Sequence, residues 1–117
     1  MKPSPLEHAI LVEYHNAFRR QGFPPPEEVD VLVRENSGAG RFVDLKAPMT
    51  SITEHACVLP HEVVIEMDGV ENGLGFMMFV EEGRLDMLEL YTFDGSWDGE
   101  ERPWRLVNRG PAEATHA

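Results

Sequence analysis

The stretch from Val63 to Phe93 constrains the fold more than any other, because it reads as three consecutive antiparallel strands. Val63–Asp68 is the first run, Gly69-Val70-Glu71-Asn72-Gly73 separates it from Leu74–Val80, and Glu81-Glu82-Gly83-Arg84 turns the chain into Leu85–Phe93. β-Branched, aromatic and long apolar residues bounded by Gly and Asn are strand signals, and a four-residue turn with Gly third is hairpin chemistry. Such a meander buries one broad face and needs a second layer to cover it.

The N-terminal segment has the character of that layer. Ser4 is placed as an N-cap, Pro5 stands at the first helical position where its missing N–H costs nothing, and Glu7 completes a capping box. The helix is expected to run from there to about Gln21, with Leu6, Ile10, Tyr14, Ala17 and Phe18 at spacings of three and four as the buried stripe. Arg19 and Arg20 oppose the macrodipole in the last turn, Gly22 can take the left-handed conformation, and Phe23 can fold back on Phe18.

Pro24-Pro25-Pro26 forms a stiff connector. In Glu27–Asn36, a helical face (Val29, Leu32, Val33, Asn36) competes with strand alternation (Val29, Val31, Val33), and the β-branched density favours a strand. Ser37-Gly38-Ala39-Gly40 turns it into a partner, Arg41–Lys46. Pro48–Pro60 reads as a crossing loop with room for one helical turn, Asp94–Pro103 as turn chemistry, and Trp104–Val107 as a short edge strand or an anchored extended segment. The expectation is one α+β domain over residues 1–109: an amphipathic helix on an antiparallel sheet of about five strands, built from a hairpin and a three-strand meander. Residues 110–117, small and polar, are expected to be a disordered tail.

A chain of 117 residues supports one core, and a 42% apolar content is enough to build it without staples. Cys57 is the single cysteine and no apolar run approaches the ~20 residues of a membrane span, so a cytoplasmic protein is expected. The net charge of −11, from 21 acidic and 10 basic side chains, argues against nucleic acid and anionic membranes, since both require a basic surface. It suits a basic protein partner, or serves solubility alone.

Gly73-Leu74-Gly75-Phe76 has the letters of the carboxylate-binding loop of PDZ domains. That loop belongs near the start of its domain, before a groove-lining helix that this chain lacks, so glycines bending a strand are the better account. His8 and His15 share a helix face two turns apart, too far to chelate one ion. Glu54, His55, Cys57, His61 and Glu62 form the one local set of ligand-type residues, with His55 and His61 as metal candidates and Cys57 with His61 as a nucleophile pair. A buried small hydrophobe is the plainer role for Cys57. Glu89 falls by alternation on the face of Leu85, Met87, Tyr91 and Phe93, where a carboxylate must be paired or shifted, which makes it the best single candidate for a special role, a structural ion pair before a catalytic one. Arg41, Arg84 and Arg105 are its candidate structural partners. Met77, Met78 and Met87 with Phe76, Phe79 and Tyr91 read as core or as an adaptable groove. Glu66 and Asp68 share the solvated side of their strand, and with Trp97 and Asp98 they are the candidate partner-binding residues.

Gly38-Ala39-Gly40-Arg41-Phe42, Gly75–Val80 and Leu88-Glu89-Leu90-Tyr91-Thr92-Phe93-Asp94-Gly95 together resemble a family of small uncharacterised bacterial proteins. Their pattern is a Gly-x-Gly turn into an aromatic strand and a Leu-Glu-x-Tyr-x-x-Asp-Gly string at a strand end. The resemblance implies that Glu89 and Tyr91 belong to a motif, and it carries no activity. The functional reading is a small acidic non-enzymatic binding module, an inhibitor or immunity-type protein for a basic partner being one version, with no cofactor. The alternative is a small-ligand or metal-dependent enzyme using Glu89 with the His55–His61 loop. A homodimer is compatible with either.

Overall fold

The computed structural model describes residues 1–111. Helix α1 spans Pro5–Ala17 and starts as its sequence dictates. The Ser4 hydroxyl accepts from the Glu7 N–H, and the Glu7 carboxylate accepts from the Ser4 N–H. It ends earlier than the spacing suggests. Phe18 is the C-cap, Arg19–Gln21 continue as a 3-10 turn, and Gly22 closes it at φ +80°. The Phe23 N–H donates to the Phe18 carbonyl, but its ring stacks on Tyr14, at 5.6 Å between centroids. The buried face is Leu6, Glu7, Ile10, Leu11 and Tyr14, while Ala17 is exposed.

Seven strands follow: β1 (Asp30–Asn36), β2 (Gly40–Lys46), β3 (Ala56–Cys57), β4 (His61–Met67), β5 (Val70–Glu81), β6 (Arg84–Thr92) and β7 (Trp104–Pro111). They form one antiparallel sheet in the order β1-β2-β6-β5-β4-β7, with β3 also on β5. The expected hairpin and meander are both present, and the hairpin docks on β6 at the far side of the meander. The count exceeds the expected five because Pro48–Pro60 contains the two-residue β3 and because Trp104–Pro111 runs the whole length of β4. Gly110 and Pro111, expected in the tail, belong to β7, and 112–117 lie outside the described residues.

Two turns shape the meander. The first is tighter than its composition suggests: only Asp68 and Gly69 connect β4 to β5, and the rest of the expected loop is β5 itself, bulged around Gly73. The second is the two-residue loop Glu82-Gly83, with φ of 49° and 83°, the primed geometry that matches the twist of a hairpin.

A register shift in the second hairpin decides what faces where. Val80 opposes Leu85 but Phe79 opposes Met87, so Asp86 is an extra residue in β6. Leu85, Leu88 and Leu90 therefore enter the core with Leu74, Met78 and Val80, while Met87, Glu89 and Tyr91 point to the other face. α1 and the buried loop residues Phe23, Val29, Ile52 and Trp97 fill the core side. The thinnest dimension, 20 Å, is that of one sheet under one layer of helix and loop, each on the order of 10 Å thick.

Candidate functional site

The ligand-type residues of the 54–62 segment do not converge. Cys57 is buried on β3, where its carbonyl accepts from the Tyr14 hydroxyl at 3.1 Å, and burial together with the Glu54 charge pushes its thiol up to about 11. A thiol held protonated is a poor nucleophile, so Cys57 is a packing residue. His55 is exposed before β3, its carbonyl bonded to the Val80 N–H, and His61 is exposed at the start of β4. Among the described residues no three His, Cys, Asp or Glu side chains form a group able to hold a metal ion.

Glu89 also departs from its expected setting. The residue added at Asp86 removes Leu85 from its face, leaving Glu89 partly exposed on the open side of the sheet, between Phe42 of β2 and Met77 of β5. None of its candidate partners reaches it, for Arg41 bonds Glu7 and Glu101, Arg84 lies by Asp86, and Arg105 pairs with Glu66. Strand β5 stands between Glu89 and the His55–His61 segment, and no hydrogen bond or ion pair joins them.

The buried charges lie elsewhere. Glu7, 1% exposed, receives Arg34 through two hydrogen bonds of 2.6 and 2.7 Å and Arg41 through one of 2.9 Å. Arg41, 4% exposed, also donates to Glu101, the Gly99 carbonyl and Asn36, and its guanidinium lies 4.8 Å from the Trp97 ring centroid. Burial alone would push the Glu7 carboxyl up, but the hydrogen bonds from Arg34 and the Ser4 backbone and the charges of Arg34 and Arg41 outweigh it, holding it below the usual carboxylate range. Two acids and two bases balance, and among the described residues no buried side-chain nitrogen or oxygen lacks a hydrogen-bond partner, so this cluster locks the helix start to β1, β2 and the 94–103 loop. It also buries Trp97 at 2% exposure, with its indole N–H donating to the Glu100 carbonyl, and so removes Trp97 from the candidate partner-binding set. Asp98 remains exposed and is held at about 2 by its hydrogen bonds from Arg102. Asp68 is exposed at the hairpin and Glu66 is engaged by Arg105.

The surface with no such closure is the face of the sheet turned away from α1. The methionine and aromatic set divides there: Phe76 and Met78 go inward, and Met77, Phe79, Met87 and Tyr91 go outward beside Phe42. No described element lies over them. Glu35, Asp44 and Glu89 stand among these apolar side chains without a cation in ion-pair contact.

At one end the face deepens. Leu74 is the last β5 residue registered with β4 and Met78 the first registered with β3, so Gly75, Phe76 and Met77 have no strand opposite on that edge. The resulting notch of about 130 Å³ has Tyr91, Phe93, Val64, Gly75, His61 and Glu62 among its lining residues. Tyr91 lies across Gly75 so closely that a Cβ there would be 2.6 Å from the ring, and the Tyr91 and Phe93 rings are 5.7 Å apart between centroids at 87°. Burial first, then the Glu89 and Glu62 charges, raise the Tyr91 phenol above its usual value. The resemblance set Glu89 and Tyr91 in one motif, while Glu62 was a candidate only with the ligand-type residues of the 54–62 segment; its place beside Tyr91 depends on where β4 leaves β5.

No family model, curated protein sequence or solved structure matches this chain.

Proposed function

We propose that this protein is a binding module that docks a basic protein partner on the open face of its sheet. The observation that carries the reading is the patch of Phe42, Met77, Phe79, Met87 and Tyr91 interleaved with the unpaired carboxylates Glu35, Asp44 and Glu89. Apolar and aromatic side chains with methionine give contact area that adapts to a partner, and the carboxylates, in a chain of net charge −11, select a cationic one. The same carboxylates disfavour a face-to-face homodimer, which would bring like charges together as they desolvate.

The test begins with the immobilised protein at low salt in a native lysate of its host, followed by affinity measurements with the purified captured protein. Asp44→Lys with Glu89→Lys should weaken binding more than tenfold, whereas the equal charge change Glu13→Lys with Glu28→Lys on the helix layer should alter it little. Equal losses in both pairs, or an affinity indifferent to ionic strength, would sink the reading. Glu89→Gln separates the enzymatic alternative, since a catalytic carboxylate would lose turnover while the docking face loses one charge among several.

A further inference from the structure

Resting on that docking reading, we propose that the notch beneath Tyr91 and Phe93 is a subsite for one cationic side-chain tip of the partner, a lysine ammonium or an arginine guanidinium. Three features of the notch converge on this chemistry. Its volume, about 130 Å³, is well under the roughly 300–1,000 Å³ of small-molecule sites, so it suits the end of a side chain rather than a metabolite. Its lining includes the rings of Tyr91 and Phe93, nearly perpendicular to each other, beside the aliphatic Leu59 and Val64, and a cation entering beside the rings meets a π face. Glu62 is one of the lining residues and Glu89 precedes Tyr91 by two on the same face of β6; neither is in ion-pair contact with a cation.

The fold holds Tyr91 close against the sheet. Gly75 removes the side chain that would lift Tyr91 off the sheet, so the ring is seated before any ligand arrives. The interruption between β3 and β4 opens the space beside it, with Tyr14 and Phe76 on the core side. Arg105 and Arg109 line the adjoining depression along β7 and not the notch.

The experiment is an NMR titration of the isotope-labelled full chain with N-acetyl-arginine methylamide and, separately, with the neutral citrulline analogue, at constant ionic strength. Saturable shifts at Tyr91, Phe93 and Gly75 are expected with arginine alone, with a dissociation constant on the order of millimolar for so small a probe. Phe93→Leu and Glu62→Gln, both at exposed positions that spare the core, should each weaken it about three- to tenfold. Equal shifts with citrulline, or non-saturating shifts spread over the acidic surface, overturn the subsite. Hexalysine, followed at the Met77 and Met87 methyl groups, reports on the docking face independently. A response there without one in the notch refutes the subsite and leaves the docking reading intact, whereas silence at both refutes both.

Discussion

Glu82 and Glu7 show how differently one residue type is used. Glu82 is the one described non-glycine residue at positive φ, 49°, where an L side chain crowds its own backbone by on the order of 1 kcal/mol. Glu82→Asn, which tolerates this conformation, should raise the thermal midpoint by about 2–5 °C. Calorimetry checks it, and a lower midpoint would mean that the Glu82 side chain contributes more than its backbone costs. Glu7 is held below the ordinary carboxyl value of 4.5, so the unfolded chain binds its proton more readily than the folded one. Its contribution is complete above about pH 5 and is lost as pH falls through the folded value. Glu7→Gln should therefore cost about 3 kcal/mol at pH 7, by leaving Arg41 buried without its full counter-charge, and the difference from wild type should shrink in acid. Urea unfolding between pH 3 and 7 measures both; a gap that widens in acid would contradict the assignment. Glu7 was legible only as the capping-box residue, and its burial and ion pairs depend on β1 and β2. Glu89 was misread because one bulged residue, Asp86, moves Leu85 to the opposite face, and no alternation rule registers a bulge before the partner strand is known.

The elements divide by how much of their stability is local. α1 carries its own start signals, Ser4, Pro5 and Glu7, and these are where the sequence places them. β3 and the second half of β7 carry few: β3 has two residues, and β7 continues past the strand-like Trp104–Val107 through Asn108, Gly110 and Pro111, poor strand formers. Open edges elsewhere make them strands, β4 for β7 and the far half of β5 for β3. The Tyr14 hydroxyl on the Cys57 carbonyl fastens β3 to the helix. Tyr14→Phe should cost about 1 kcal/mol, chiefly by leaving that buried carbonyl short of a donor, and hydrogen exchange should accelerate in Ala56–Leu59 before α1 is affected. Uniform acceleration across the chain would show that β3 does not open on its own.

At the scale of the whole molecule the charge of −11 acts as a self-repelling field that salt screens, over about 10 Å at 0.1 M. Raising sodium chloride from 10 to 300 mM should increase the thermal midpoint by several degrees, whereas a fall would show that the ion pairs around Glu7 and Arg41 outweigh the general repulsion. Under the proposed docking reading, the same field favours a cationic partner, met on the side of the sheet that no described element covers. By itself the sequence determined the capped helix, the hairpin, the meander and the antiparallel α+β class, because capping, turn chemistry and side-chain period are properties of neighbouring residues. Only the tertiary structure decided that Trp97 is buried, that Glu89 faces outward, that Glu7 anchors an ion cluster, and that β3 and β4 leave a gap along the edge of β5 beside Tyr91. Each of these depends on which strand lies beside which and in what register, and register is fixed by contacts between residues far apart in the chain.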